Sequence, residues 1–392
     1  MTRTILIFIL MLCLISCGGG GASNNVSPAA LAGDLDASFG NGGIVRTGMS
    51  SGPGAMTLLS DGKFEVMGKV LLGSEYEYVL TRYESGGRID SSFGNGGKIT
   101  LRPAVQGLEA RDMVHQQDGK VVIVGTTFNG ANYDIHVVRF LADGTPDSAW
   151  GDRGQLISSI GASEIAYGVT AQLDGKIIVT GTLENVSSGD FNFLVVRFNA
   201  DGSLDETFGA HGIVQANFGS AWYTAYASAL YASVQPDGKT IIYGTVSSIL
   251  KQSYNSGVTP VLVLARYESD GAIDASFGTD GFSANYAGSL LMLNHGRVYT
   301  PNSNTLAIDS QGRRIFAESK LESTGYIITI TRSLPDGSPD LSFGTGGMIN
   351  THLSDYDYPI SVLVQDDGKI LVEGSTRDSA GSDSLIFLRY MP

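Results

Sequence analysis

"LDASFGNGGIVRT", residues Leu35–Thr47, carries the pattern on which the fold turns. Its first six residues recur as "IDSSFG" at Ile89–Gly94, "PDSAWG" at Pro146–Gly151, "LDETFG" at Leu204–Gly209, "IDASFG" at Ile273–Gly278 and "PDLSFG" at Pro339–Gly344. Each copy is built like a turn. The acid (Asp36, Asp90, Asp147, Asp205, Asp274, Asp340) can accept bonds from backbone N–H groups just ahead of it. The glycine supplies a positive φ. The aromatic (Phe39, Phe93, Trp150, Phe208, Phe277, Phe343) is kept where its neighbours drift, as expected of a residue packed between adjacent units.

Two more signatures travel with it. One is Asp-Gly-Lys ahead of a β run, beginning at Asp61, Asp118, Asp174, Asp237 and Asp367, with a degenerate Gln311-Gly312-Arg313. The other is an arginine near the end of a later β run: Arg82, Arg139, Arg197, Arg266, Arg332 and Arg389. An aromatic follows it everywhere except at Ser333. Between these marks lie short runs such as "AMTLL", "KFEVMG", "YVLTRY" and "KITL", rich in β formers. Four short antiparallel strands per unit, repeated six times, predict an all-β fold: a six-bladed β-propeller of four-stranded blades.

The last unit stops at Arg389-Tyr390-Met391-Pro392, where its turn and fourth strand are due, and Leu35–Thr47 holds that missing piece. The N-terminal strand is therefore expected to complete the last blade and close the ring. A β-solenoid, the rival architecture, needs no such displaced piece.

Bulk composition agrees. The chain of 392 residues has 52 glycines, 42% hydrophobic and only 16% charged residues. Short β runs between glycines dominate, and few stretches show a helical period. The formal net charge of −14 repels phosphate backbones, which argues against a nucleic-acid partner. Cysteine occurs only at Cys13 and Cys17, so the repeat region can form no disulfide, zinc cage or cysteine nucleophile.

The three signatures together resemble the delta-60 repeat, a bacterial β-propeller repeat of unknown function; the resemblance covers nearly everything after residue 34. It implies the fold and brings no chemistry. The opening apolar run Ile5–Ile15 is too short to span a bilayer and reads as a secretory signal. Leu14-Ile15-Ser16-Cys17 resembles the lipobox of bacterial lipoproteins. That resemblance implies lipidation at Cys17, and Gly18 after it implies the outer membrane. The expected organisation is a signal peptide over 1–16, a flexible tether over 17–33 and the propeller over 34–392, with membrane contact only through the anchor.

Alternate connections in such a blade lie at opposite ends. The Asp-Gly turns share one end; the variable connections share the other, and three of these are long: Ala216–Ala229, Val246–Pro260 and Ser283–Thr305. They carry Trp222, Tyr223, Tyr226, Tyr254, Tyr286, His295, Arg297 and Tyr299. Amphipathic aromatics on loops suit sugar faces or protein hot spots. The expected function is thus a monomeric, non-enzymatic binding scaffold for a protein or an extracellular glycan, with no cofactor and no metal. The alternative is a glycan-processing hydrolase or lyase at the mouth of the central channel, which needs carboxylates about 5–10 Å apart. No histidine pair has zinc-ligand spacing, and neither G-x-S-x-G nor a phosphate loop occurs. The fifth unit departs from the pattern, with Arg313 for lysine, Glu318 for a glycine and Ser333 for an aromatic, which marks either function or drift.

Overall fold

The computed structural model describes residues 31–392 except 73–74, 101–107, 161–162, 186, 188, 219–222, 236, 251–260, 287–292, 295–296, 299–304, 324, 336–337 and 378–380. The signal segment, Cys17 and nearly all of the tether lie outside the described residues.

The fold is all-β and propeller-like, built of four-stranded antiparallel units. Strand β1 (Ile44–Arg46) comes first in the chain. The first unit is β2 (Ser50–Leu58), β3 (Phe64–Leu72), β4 (Glu75–Tyr83) and β5 (Lys98–Thr100). The second is β6 (Glu109–His115), β7 (Val121–Phe128), β8 (Tyr133–Phe140) and β9 (Gln155–Ser158). The third is β10 (Glu164–Ala171), β11 (Ile177–Asn185), β12 (Asp190–Phe198) and β13 (Ile213–Ala216). The fourth is β14 (Tyr223–Val234), β15 (Thr240–Leu250), β16 (Val261–Tyr267) and β17 (Phe282–Tyr286). One parallel pairing, Phe191 with Tyr226, ties the third unit to the fourth. A small ribbon, β18 (Leu293–Asn294) with β19 (Arg297–Val298), precedes the fifth unit. That unit is β20 (Leu306–Ile308), β21 (Arg314–Glu322), β22 (Gly325–Ser333) and β23 (Met348–Thr351). The last is β24 (Asp357–Val364), β25 (Ile370–Arg377) and β26 (Asp383–Tyr390), with β1 on its outer edge. There Ile44 faces Leu388 and Val45 faces Phe387.

First strands of successive units touch: β2 packs on β6 and β24, β10 on β6 and β14, and β20 on β24. Hydrophobic clusters fill the gaps between most neighbouring units. They join the first unit to the second, the second to the third, the third to the fourth, the fifth to the last, and the last to the first.

The three sequence signatures meet in an ionic knot, complete in the third, fourth and last units. Oδ1 of the motif aspartate accepts the N–H two residues on, as Asp205 does from Thr207 at 3.1 Å. Oδ2 takes the arginine: Arg139–Asp147, Arg197–Asp205, Arg266–Asp274, Arg332–Asp340 and Arg389–Asp36. The Asp-Gly-Lys lysine reaches the same carboxylate from Lys63, Lys176, Lys239 and Lys369. Burial pushes Asp36 up, but bonds from Ser38 and the charges of Arg389 and Lys369 bring its carboxyl down to about 2. Every arginine also lies over the motif aromatic of its own unit, from 3.8 Å for Arg82 on Phe93 to 5.0 Å for Arg139 on Trp150. The first unit differs. Arg82 turns to the fully buried Glu65, which also meets His115 Nε2 at 2.7 Å, and Lys63 is left to serve Asp90.

Candidate functional site

One boundary departs from the rest. Among the described residues no hydrophobic cluster joins the fourth unit to the fifth. Alternation along β21 shows why. Ile315 and Ala317 point into the core shared with Val362 and Ile370 of the last unit. Arg314, Phe316, Glu318 and Lys320 therefore lie on the other face, and Arg314 is electrostatically coupled to Tyr243 of the fourth unit. From the fourth unit, Ile242 packs back on the third, which turns Tyr243 toward the fifth. Tyr231 sits opposite it on β14, the two rings 5.9 Å apart.

A polar row crosses the fifth unit at this face. Glu318 pairs with Thr329 and Thr329 with Asn350. Thr329 Oγ1 donates to Asn350 Oδ1 at 2.9 Å and is fully buried. In other units the corresponding rows read Gly68–Val79–Thr100, Gly181–Leu194–Gln215 and Gly244–Val263–Ala284. Burial raises the Glu318 carboxyl above its ordinary range, and Lys320 pulls it partly back. At the turn end of the same boundary Phe277 is only partly buried, whereas its five counterparts are at most 4% exposed.

The end of the molecule with the variable connections carries aromatic pairs. Phe191 stacks on Tyr226 at 5.1 Å, Phe128 meets Tyr133 at 5.2 Å, and Tyr326 meets Tyr358 at 5.2 Å. Tyr356 lies beside Tyr326 and under Arg377, which is paired with Asp383.

Of the eight loop residues singled out in the sequence, Trp222, Tyr254, His295 and Tyr299 lie outside the described residues. Tyr223 begins β14, Tyr286 ends β17 and Arg297 begins β19; their side chains are also outside what is described. Tyr226 is partly exposed, but its ring is engaged by Phe191. The sequence drew attention to Glu318 as a departure; its partners Thr329, Asn350, Tyr231 and Tyr243 carried no signal of their own. The degenerate turn, the missing aromatic and the substituted glycine of the fifth unit all belong to this one boundary or its rim. Among the described residues no group of three His, Cys, Asp or Glu could hold a metal, and no helix is long and apolar enough to cross a membrane.

Residues 116–149, 172–208 and 235–277 match the model of a β-propeller domain of unknown function, DUF5122. No curated protein matches the sequence. Among solved structures, the fold is similar to an α-L-arabinofuranosidase from Fusarium graminearum held with an iminosugar inhibitor, at TM-score 0.49 and 10% identity, over 87% of this chain and 93% of that one. It is similar to an endo-arabinase from Bacteroides thetaiotaomicron at TM-score 0.39 and 10% identity, over 81% and 96%. It is also similar to a polysaccharide lyase at TM-score 0.43 and 11% identity, over 94% and 93%. Identity this low speaks to the fold alone. The expectation of a non-enzymatic binding scaffold is nevertheless corrected: these neighbours are glycan-cleaving enzymes, and Tyr226, the one loop aromatic whose surroundings are described, packs on Phe191. What stands is an all-β, propeller-like chain whose middle units match the model of that β-propeller domain.

Proposed function

We propose that the chain is a glycan-processing enzyme, a hydrolase or lyase, whose site lies in the polar seam between the fourth and fifth units. The seam itself carries the reading. Burying polar groups is costly unless they are paired, so units that pack through hydrocarbon elsewhere gain nothing in stability from a polar face here. A hydroxyl-rich ligand makes use of such a face. The seam offers it the Glu318 carboxyl, the exposed Asn350 and the tyrosines Tyr231 and Tyr243. The long connection 283–305 leads from one wall of the seam to the other in sequence.

The scaffold in this proposal is a six-bladed ring of delta-60-type repeats spanning 34–392, with β1 sealing the last blade. Supporting it are the pairing of β1 with β26 and the packing of successive first strands. The coupling of Tyr243 to Arg314 bridges the remaining step. In the same proposal Cys17 is lipidated and residues 17–33 tether the ring to the outer membrane, on the strength of Leu14-Ile15-Ser16-Cys17. Labelled fatty acid should enter the wild-type chain and not Cys17→Ser.

The test of activity is direct. Residues 34–392 are incubated with arabinan, xylan, pectate and alginate while new reducing ends and the ultraviolet absorbance of unsaturated sugars are followed. Reducing ends alone identify a hydrolase, both signals a lyase, and neither rejects the proposal.

A further inference from the structure

We propose that Tyr326, Tyr356 and Tyr358, with the Arg377–Asp383 pair at their edge, form a platform that holds an uncharged polysaccharide chain. The class of ligand rests on the glycan-processing reading; the place rests on residues outside the seam.

Comparison between units shows what is unusual there. The first strands of the second, third, fourth and last units carry a β-bulge at one level, beside a glycine of the second strand: Gly125, Gly181, Gly244 and Gly374. That shared register puts Tyr358 where the other three units have Glu109, Ile165 and Ser228, and Tyr356 level with Tyr226. On the third strands Tyr326 is level with Phe191. Tyr326 pairs in parallel with Tyr356 as Phe191 does with Tyr226. The rings then diverge. Phe191 and Tyr226 stack at 19° and 5.1 Å, offering one ring's width. Tyr326 and Tyr356 are spread to 6.3 Å at 31°, and Tyr358 adds a third ring 5.2 Å from Tyr326 at 32°. Tyr356 is 43% exposed and Tyr358 37%.

The backbone beneath the rings is fixed. Asp357, between the two exposed tyrosines, is fully buried. It accepts from Leu353 N at 2.6 Å, Ser354 N at 3.0 Å, Ser354 Oγ at 2.8 Å and Thr376 Oγ1 at 2.7 Å. Tyr326 N donates to the Asp355 carbonyl at 2.9 Å. Gly325 sits at φ 124°, and a Cβ there would strike that same carbonyl oxygen. Rings carried on a locked backbone lose little freedom when a ligand arrives.

Their surroundings select the ligand. A sugar ring has a face of C–H groups, which packs on an aromatic ring, and an edge of hydroxyls, which needs donors and acceptors. Arg377 lies 5.0 Å over Tyr356 and is held by Asp383 at 2.7 Å, both open to solvent. At this cross-strand position the second, third and fifth units have Phe128–Tyr133, Glu184–Phe191 and Leu321–Tyr326, none of them an ion pair. Paired charges bond hydroxyls without favouring an anion. On the strand beside Tyr326, Lys320 is likewise paired with Glu322 at 3.2 Å, and Asp355 is exposed. With a formal net charge of −14 on the whole chain, a polyuronate is repelled and a neutral glycan is not.

The test reads binding apart from cleavage. Wild type, Tyr356→Ala, Tyr358→Ser and Tyr358→Phe are run in native gels containing arabinan, xylan, pectate or alginate, and their thermal midpoints are measured. Arabinan or xylan should slow the wild-type chain, and the two polyuronates should not. Serine is the residue of the fourth unit, so Tyr358→Ser should fold with an unchanged midpoint. Tyr356→Ala and Tyr358→Ser should each bind about tenfold more weakly. Tyr358→Phe keeps the ring and should bind as wild type does. A wild-type chain slowed by neither neutral glycan, or slowed as much by the polyuronates, overturns the proposal. So does unchanged binding in Tyr358→Ser. Cleavage of the same polysaccharides is scored separately. A chain that binds through these rings and cuts nothing removes the glycan-processing reading and leaves the platform. A chain that cuts while Tyr358→Ser binds unchanged removes the platform alone.

Discussion

At the scale of single residues, the strongest commitments are ionic. Glu373 is fully buried on β25 with neither carboxyl oxygen hydrogen-bonded, and burial pushes it up to about 8. The folded chain therefore holds a proton that the unfolded chain releases from the ordinary carboxylate range upward. The stability this contributes is complete below about pH 4.5 and is lost as pH rises through about 8, at about 1.4 kcal/mol per pH unit within that window. Denaturant titrations of wild type should show that slope, and Glu373→Gln should flatten it and be the more stable protein at pH 9. Arg139 tests the knot. It binds Asp147, donates from Nη1 to the Ala200 carbonyl of the next unit at 2.8 Å, and covers Trp150. Arg139→Lys keeps the charge and loses the fork, so a loss of about 1.5–3 kcal/mol is expected in the same titration.

At the scale of elements, the recurring device is a bulged first strand seated on a glycine. Gly181→Ala forces a methyl against the Ile165 carbonyl and should destabilise by about 1–3 kcal/mol. A methyl is tolerated where glycine has an ordinary backbone and faces nothing, as at Gly48. Much of this scale was legible in the sequence, because turn residues are dictated by backbone geometry. All six motif glycines have φ between 51° and 58°, and Gly62 through Gly368 turn the hairpins. The Lys-to-Asp arm of the knot was not read, although lysine and aspartate recur together in the repeat. Glu65 was hidden for a different reason: it occupies a strand position held by Val122 and Ile178 elsewhere, and only the fold brings Arg82 and His115 to it. The seam was illegible because it is a hydrophobic cluster missing, among the described residues, between strands far apart in sequence, and no local pattern records an absence.

At the scale of the whole molecule, the pairing of β1 with β26 joins the two ends of the described chain. Leu35, Asp36 and Gly33 bond to the final strand and to Met391, and Arg389 reaches both Asp36 and the carbonyl of Ser85 in the first unit. Removing residues 34–46 uncovers the outer edge of β26 and deprives Arg389 of its acid. The truncated chain is expected to lose several kcal/mol and to associate through the bared strand, visible as oligomers in sedimentation. Truncation that left a monomer of unchanged stability would speak against ring closure.

The boundary of tyrosine, glutamate and asparagine sets how the assembly breathes. Among the described residues five boundaries between units share a hydrophobic cluster and this one does not, so thermal fluctuation should part the units there before it parts the others. Amide exchange on β15 and β21 is then expected to be fastest among the central strands, and the ligand proposed for that boundary is expected to slow it.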